Sequence, residues 1–408
     1  MSDTIENVLI LQGGGSLGAF GCGVLKALAS SNIKIDIIAG TSIGGLNASI
    51  IAGSKEKDHP EKALEQFWLE LAEGSSSGNP NFNFFPFMKP LSSAREHPMS
   101  TNGTSTSSSS ADHSALTHIS QLKSLISFYS AGIYGNKEVF IPRWRPEFAV
   151  TDPEYFVPHE WTYLYDHSPL VNNLEKYIDY NKLQPNGMPN ARLIITAVNV
   201  LTSEPLIFDS SKQRITSKHI LATTGYPRYY FGWVEVEKGI YAWDGSLLSN
   251  TPLREVIDAS PAKDKRVFLV ENYPRFSERL PANLLEVEHR IRDIMFCDKT
   301  LHNKKLAKTF TYYLRFIDEL YHVIENRFDL ENAQDKEQFE KIKAKYKKIS
   351  ERGAEVKGLY YISRDEPFPD LYENADFSID TIKDSIRDGE LKTKQVLDGY
   401  YHNQGNAL

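Results

Sequence analysis

Two cysteines in 408 residues, Cys22 and Cys297, are too few for a disulfide framework or a thiolate metal cage, and such sparing use fits a reducing compartment. Basic residues are outnumbered, 46 against 53 acidic ones, for a net charge of −7. That balance excludes a global footprint for nucleic acid and leaves any anionic partner to a local patch. Long apolar runs are missing too: nothing approaches the roughly 20 residues of a membrane-spanning helix. The N-terminus MSDTIENVLILQGGG is acidic, and its apolar run extends only from Val8 to Leu11, unlike a signal peptide with its basic start and longer apolar stretch. These absences predict a cytoplasmic protein, with peripheral contact at a membrane left open. What is present is ordinary for a globular chain, 41% hydrophobic and 24% charged, and the length suits one large or two medium domains.

Residues 7 to 53 read as strand, glycine loop, helix, strand, tight turn, helix: NVLILQ, GGGSLG, AFGCGVLKALASS, IKIDIIAG and TSIGGLNASIIAG. Apolar runs alternating with helical periodicity predict βαβ units and a parallel sheet with helices on both faces. ARLIITAVNVLT (191–202) and RVFLVENY (266–273) read as further buried strands, and WVEVEKGIYAW as strand-like. The aromatic NPNFNFFPFMKPL (79–91) leads into a serine tract (99–114) too polar to pack, and 79–190 as a whole reads as an irregular insertion. From Leu284 the pattern turns helical, to about residue 352, with a last short strand expected at GLYYISR (358–364). The expected organisation is therefore an α/β domain over 1–283 and a helical C-terminal region over 284–408.

Gly40-Thr41-Ser42-Ile43-Gly44 follows the strand IDIIA and precedes a helix rich in small residues. A nucleophile elbow needs that context: a serine on a sharp, strained strand-to-helix turn, with Gly40 and Gly44 permitting close backbone approach. The bland alternative is a small-residue turn serving as a helix cap. Upstream, Gly13-Gly14-Gly15-Ser16-Leu17-Gly18 follows a strand and opens a helix, so its amides converge where the helix dipole adds positive charge. Such a loop suits an oxyanion or a phosphate. Gly13, Gly15 and Gly18 also spell the G-x-G-x-x-G of dinucleotide folds, with Asp36 eighteen positions after Gly18. In that fold the acidic residue ends the second strand, whereas Asp36 precedes the apolar IIAG, and the serine elbow would have no purpose.

A serine hydroxyl needs a base. None of the eleven histidines sits in a recognisable strand-end motif, and His289, His302 and His322 fall on the helical region. Asp244, in Trp243-Asp244-Gly245-Ser246, follows a strand-like run and sits at a tight turn from which its carboxylate could face Ser42, although an Asp-Gly by itself is an ordinary turn.

Taken together, the three segments resemble the patatin-like phospholipase family, whose members carry a G-G-G-x-[RK]-G loop, a G-x-S-x-G elbow and a D-G-[GA] turn in that order. The resemblance implies a three-layer α/β sandwich with a mostly parallel central sheet, plus an extra helical C-terminal region as in some prokaryotic members. It implies a Ser-Asp dyad in which Ser42 forms an acyl-enzyme, Asp244 is the base and the Gly13–Gly18 loop holds the oxyanion, with no metal or cofactor. The substrate implied is a lipid ester; a thioester, or transfer of the acyl group to another acceptor, would use the same dyad. Two positions depart from the pattern: Leu17 replaces the basic residue of the loop, and Ser246 replaces the small residue after Asp-Gly. The resemblance covers about 1–75 and 190–275.

Two accessory features remain open. NFNFFPFM reads either as a lipid-contacting lid or as a satellite cluster under a loop. The lysines at 304, 305, 308, 341, 343, 345, 347 and 348 read either as a contact for anionic lipid or as solvated helix faces.

Overall fold

A computed structural model describes residues 5–56, 58–76, 127, 129–277, 279–297, 300–327, 333–350, 355–366 and 373–405. Strands β1 (Glu6–Leu11), β2 (Ile37–Thr41), β3 (Arg192–Asn199), β4 (Pro205–Asp209), β5 (Val234–Glu237), β6 (Ile240–Asp244), β7 (Lys265–Glu271) and β8 (Val356–Ser363) form one sheet. Its order is β8-β7-β1-β2-β3-β6-β5, with β4 pairing to β3. The pairings from β8 to β3 are parallel, and those of β4, β5 and β6 are antiparallel. The sheet is thus mixed and mostly parallel, as the alternating pattern predicts.

Both faces are buried, which is why the central strands read as continuous apolar runs. Alternation along β1 sends Leu9 and Leu11 to one face and Val8 and Ile10 to the other. The first face packs on α1 (Ala19–Ser30), α2 (Ile43–Gly53), α3 (Pro60–Ser76) and α10 (Ile379–Gly405). The second is covered by Leu253 and Val256 of α6 (Leu253–Ala259), giving three layers. Between them in sequence come α4 (Pro169–Tyr177) and α5 (Ser217–Thr224); α7 (Leu284–Phe296), α8 (Thr300–Glu325) and α9 (Ala333–Ser350) form the helical stretch expected from Leu284 onward.

Some elements differ from the sequence expectation. WVEVEKGIYAW is two strands: the chain folds back at Lys238-Gly239, where Gly239 takes a φ of 79°, so β5 and β6 are a hairpin. The strand expected at 358–364 is the parallel sheet edge β8, paired from Val356 to Ser363 with β7. The final helix α10 lies along α1, where a side chain on either Gly23 or Gly389 would run into the facing backbone. The chain beyond Leu284 therefore returns to the sheet for one strand and one long helix. NFNFFPFM and the serine tract lie outside the described residues. No helix among the described residues is long and apolar enough to cross a membrane.

Candidate active site

Ser42 sits where β2 ends and α2 begins, with φ 58° and ψ −133°. A non-glycine residue in that region carries strain on the order of 1–3 kcal/mol, which the surroundings must impose. They do so by close packing: a Cβ on Gly40 would meet the backbone of Gly44, and one on Gly44 would meet the Leu11 carbonyl of β1. The turn is also tied sideways, Ser42 N–H donating to Thr223 Oγ1 (3.0 Å) and Thr223 Oγ1 to the Thr196 carbonyl (2.6 Å). Ser42, Gly40 and Gly44 thus form a tight, strained strand-to-helix turn.

Asp244 ends β6, pairs with Ala197 of β3 and is fully buried. Burial raises its pKa to about 6, against weaker opposing effects of hydrogen bonds from Ser42 and Ser246. Ser246 N–H donates to Oδ1 at 2.8 Å, whereas Oδ2 is buried with no hydrogen-bond partner of normal geometry. The Ser42 hydroxyl is close enough to influence the carboxyl, yet the orphaned Oδ2 shows the pair to be adjacent rather than well bonded. Catalytic hydrogen bonds in a ligand-free site commonly tighten only around substrate.

The glycine loop divides in its roles. Gly13 N–H donates to Asn250 Oδ1 at 3.1 Å, which removes it as an oxyanion donor. Gly14 (φ 156°) and Gly15 (φ 60°) line the cavity, and no acceptor for their amides occurs among the described residues. Gly18 does not line it; it lies under Ile43 and Trp68, its carbonyl accepting from Asn47 Nδ2 (2.8 Å). Leu17, where the resemblance expects a cation, is buried in a cluster with Tyr226, Tyr273 and Phe296. Ser246, the other departure, donates its hydroxyl to Asn250 Oδ1 (3.0 Å).

Ser42, Asp244, Gly14 and Gly15 meet at one end of a cavity of about 660 Å³ whose wall is largely apolar. That volume is in the range of small-ligand sites. The irregular insertion lines it too, through Phe140, Trp144 and Tyr165, as does Phe231. His167 also lines it, but burial lowers its pKa and its Nε2–H is spent on the Leu221 carbonyl (3.2 Å). His289 lies in a buried ionic cluster and His322 is exposed beside Glu325; the side chain of His302 lies outside the described residues. Asp36 accepts from the Asn7 amide (2.8 Å) at the start of β2, a strand length from the glycine loop, so it is not placed as a ribose ligand.

Several site residues carry no motif that sequence reading could use. Asn250 Oδ1 joins Gly13 to Ser246, and its Nδ2 donates to the Phe296 carbonyl (3.2 Å). Gln12 Nε2 reaches the same carbonyl (3.1 Å), while its Oε1 accepts from Asn272 N–H (2.8 Å). As for a metal, ligand atoms of His289, Asp293 and Glu366 lie within 4.8 Å of one another. Arg292 Nη2, however, stands 2.9 Å from His289 Nε2 and 3.0 Å from Asp293 Oδ1, so a guanidinium already occupies the place of a cation.

The family model described as patatin-like phospholipase matches residues 9–257, more than half of the chain. A lysophospholipase, nte1, of Aspergillus terreus is 52% identical over 44 residues, 11% of this chain and 3% of that protein's length. Among solved structures, VipD of Legionella pneumophila aligns at 13% identity over 97% of this chain and 67% of its own, with a TM-score of 0.35. The ExoU–SpcU complex of the Pseudomonas aeruginosa type III secretion system aligns at 16% identity over 70% of this chain and 47% of that one, with a TM-score of 0.25.

Proposed function

The chain belongs to the patatin-like phospholipase family, and from that premise we propose that it is a serine acyl hydrolase cleaving carboxylic esters of lipids through Ser42 and Asp244. Ser42 Oγ attacks the ester carbonyl carbon as its proton passes to Asp244. The charge that develops on the carbonyl oxygen is met by the amides of Gly14 and Gly15 and by that of Ile43, the residue after the nucleophile at the start of α2. Collapse expels the alcohol, which takes the proton from Asp244 and leaves an acyl group on Ser42. Water then attacks this acyl-enzyme, loses a proton to Asp244, and the acid departs as Ser42 recovers the proton.

The observation that carries this reading is the strained Ser42 next to a buried carboxyl whose pKa is pushed up to about 6, at the end of an apolar cavity. A carboxylate of ordinary pKa is a poor base, and the raised value brings it toward neutral working pH. The cavity provides room for an acyl chain. Exposed Tyr129, Ile133, Trp144 and Tyr230 at its wall support contact with a lipid surface, since aromatic rings favour such interfaces.

Labelling with a fluorophosphonate, followed by peptide mapping, tests the nucleophile without knowledge of the natural substrate. Ser42→Ala loses both the label and turnover of a short p-nitrophenyl ester while the fold is retained. Turnover persisting in that variant overturns the assignment.

A further inference from the structure

His167 is a titratable side chain in the wall of the acyl cavity, only 8% exposed, that the proposed reaction leaves idle. Its surroundings are aromatic. The imidazole stands edge to face with Phe231 at 5.4 Å between ring centres, and Phe231 packs in turn on Phe140 (5.5 Å) and Tyr165 (5.9 Å). Two neighbouring hydroxyls in the same wall are already bonded inside the protein: Tyr165 OH donates to the Gly132 carbonyl (2.9 Å), and Thr224 Oγ1 to the Ile220 and Leu221 carbonyls (3.1 Å each).

The bonding of His167 fixes which of its nitrogens has a lone pair. A carbonyl can only accept, so Nε2, 3.2 Å from the Leu221 carbonyl, carries a proton. Burial lowers the pKa of the ring against weaker opposing effects of that carbonyl and Asp166, so the imidazole is uncharged at neutral pH and Nδ1 is an acceptor. Nδ1 finds no donor among the described residues. A buried acceptor left without a donor is unfavourable, and native proteins keep few of them. The ring is also tied to the dyad. Two residues after Leu221, Thr223 Oγ1 receives the Ser42 amide (3.0 Å), and the Gly225 carbonyl receives that of Asp244 (3.1 Å). One short segment, Leu221 to Gly225, thus holds the imidazole, the turn of the nucleophile and the strand of the base.

We propose that His167 Nδ1 accepts a hydrogen bond from a hydroxyl on the acyl chain, which makes esters of hydroxylated acids the preferred substrates of this cavity. The inference rests on the acyl-hydrolase reading and adds to it the kind of acyl group. The aromatic wall assigns the hydroxyl to the chain: a group that passes Phe140, Tyr165 and Phe231 must be mostly apolar, and one hydroxyl supplies the donor that Nδ1 lacks. An amide in the same place would bring a carbonyl to desolvate as well. A site built to bond a hydroxyl discriminates against the plain chain, because the plain chain leaves the buried acceptor unmet.

The test uses p-nitrophenyl esters of one medium-chain acid, unsubstituted or carrying a single hydroxyl at successive positions along the chain. For each enzyme, kcat/KM is read relative to the unsubstituted ester, so that a general loss of activity in a variant cancels. In the wild type the ratio should reach about fivefold or more at one position or two adjacent ones. The leaving group is the same throughout and brings no hydroxyl of its own to the bound ester, so the preference reports on the acyl side. His167→Gln places its amide nitrogen where Nε2 stood and keeps the donor to Leu221, but it offers no acceptor in place of Nδ1, and the ratio should fall to near one. His167→Asn places its side-chain oxygen near the Nδ1 position and should recover part of the preference. A wild-type series without a preferred position, or a preference that survives His167→Gln, overturns the inference. So does a wild-type preference for the glyceryl over the methyl ester of the unsubstituted acid that His167→Gln removes, because the hydroxyl recognised would then lie on the alcohol side. If the wild type hydrolyses none of the esters and Ser42 takes no label, the acyl-hydrolase reading fails and this inference with it; if the unsubstituted ester is hydrolysed and no hydroxyl is preferred, that reading stands.

Discussion

At the strand ends, Ser42, Asp244 and the glycine loop are positioned by backbone. Strand termini aim them, and Gly40 and Gly44 let β1, β2 and α2 approach where a side chain would collide. From Leu284 to Phe377 the same cavity is closed by side chains instead. Phe296, Asn374 and Phe377 supply part of its wall, and the Ser16 hydroxyl of the loop donates to the Glu373 carbonyl at 2.7 Å. Behind that wall lies a buried ionic cluster: Arg292 to Glu373 (2.7 Å) and Asp293 (3.0 Å), Arg364 to Glu373 (2.9 Å) and Glu366 (2.7 Å), His289 to Glu366 (3.0 Å). Burial alone would lower the His289 pKa, but its hydrogen bonds to Glu366 and Glu373 raise it to about 9. The family model ends at residue 257, and yet this later segment touches the glycine loop. A backbone-built half thus depends on a side-chain-built half for its closure.

The comparison is broken most severely at the dyad. Asp244→Asn keeps the shape and deletes the basicity, so the rate should fall on the order of 10²-fold or more. His322→Ala, on an exposed helix face, should leave it unchanged. In the wild type, kcat/KM should rise with pH through about 6 as Asp244 ionises. Stability runs the other way. The folded pKa is raised above the unfolded value, so the contribution of Asp244 is fully present below about pH 4 and is lost as pH rises through about 6. The Asn variant should therefore melt higher than wild type at pH 7, with the gap closing toward pH 4. A pH-independent gap in calorimetry, or an active Asn variant, would refute the assigned base.

Next in size is a break in the side-chain half. Arg292→Ala strands Asp293, Glu366 and Glu373 without one of their cations, and losing one partner of a buried ionic set costs about 3–5 kcal/mol. Urea denaturation should show that loss, with labelling of Ser42 reduced in step as Tyr273 and Phe296 loosen. A variant with unchanged stability would mean that the cluster is wetter than its burial implies.

The smallest effect lies at the joint between the halves. Asn250→Ala removes the acceptor for Gly13 N–H and Ser246 and one donor to the Phe296 carbonyl. We expect kcat lower by about tenfold with little change in KM, since the loop is displaced relative to the developing oxyanion rather than the chain site. A KM effect alone would place Asn250 in substrate binding instead.

The backbone-built half was legible because its demands fall on residue types at fixed spacing. Only glycine fits where a Cβ would strike the facing backbone, as at Gly40 and Gly44. The strands β1, β2, β3 and β7 were legible because burial on both faces forces continuous apolar runs. The joint was not. Asn250, Gln12 and Glu373 are ordinary polar residues in sequence, and their roles appear only when segments some 240 to 360 positions apart come together.

By itself, the sequence determined the strand-end pattern of this protein: a serine between spaced glycines at Ser42, an Asp-Gly turn at Asp244, a loop of glycines, and a mostly parallel sheet to carry them. The tertiary structure decided which of those groups can act. It spent the Gly13 amide on Asn250, buried Leu17 where a cation was expected, and raised Asp244 toward a useful pKa. It also brought Arg228 and Phe296 of α7 to the same cavity. The physical reason is that steric limits on backbone are local and leave their mark on each residue type. Desolvation and hydrogen-bond partnership depend on neighbours that only folding supplies.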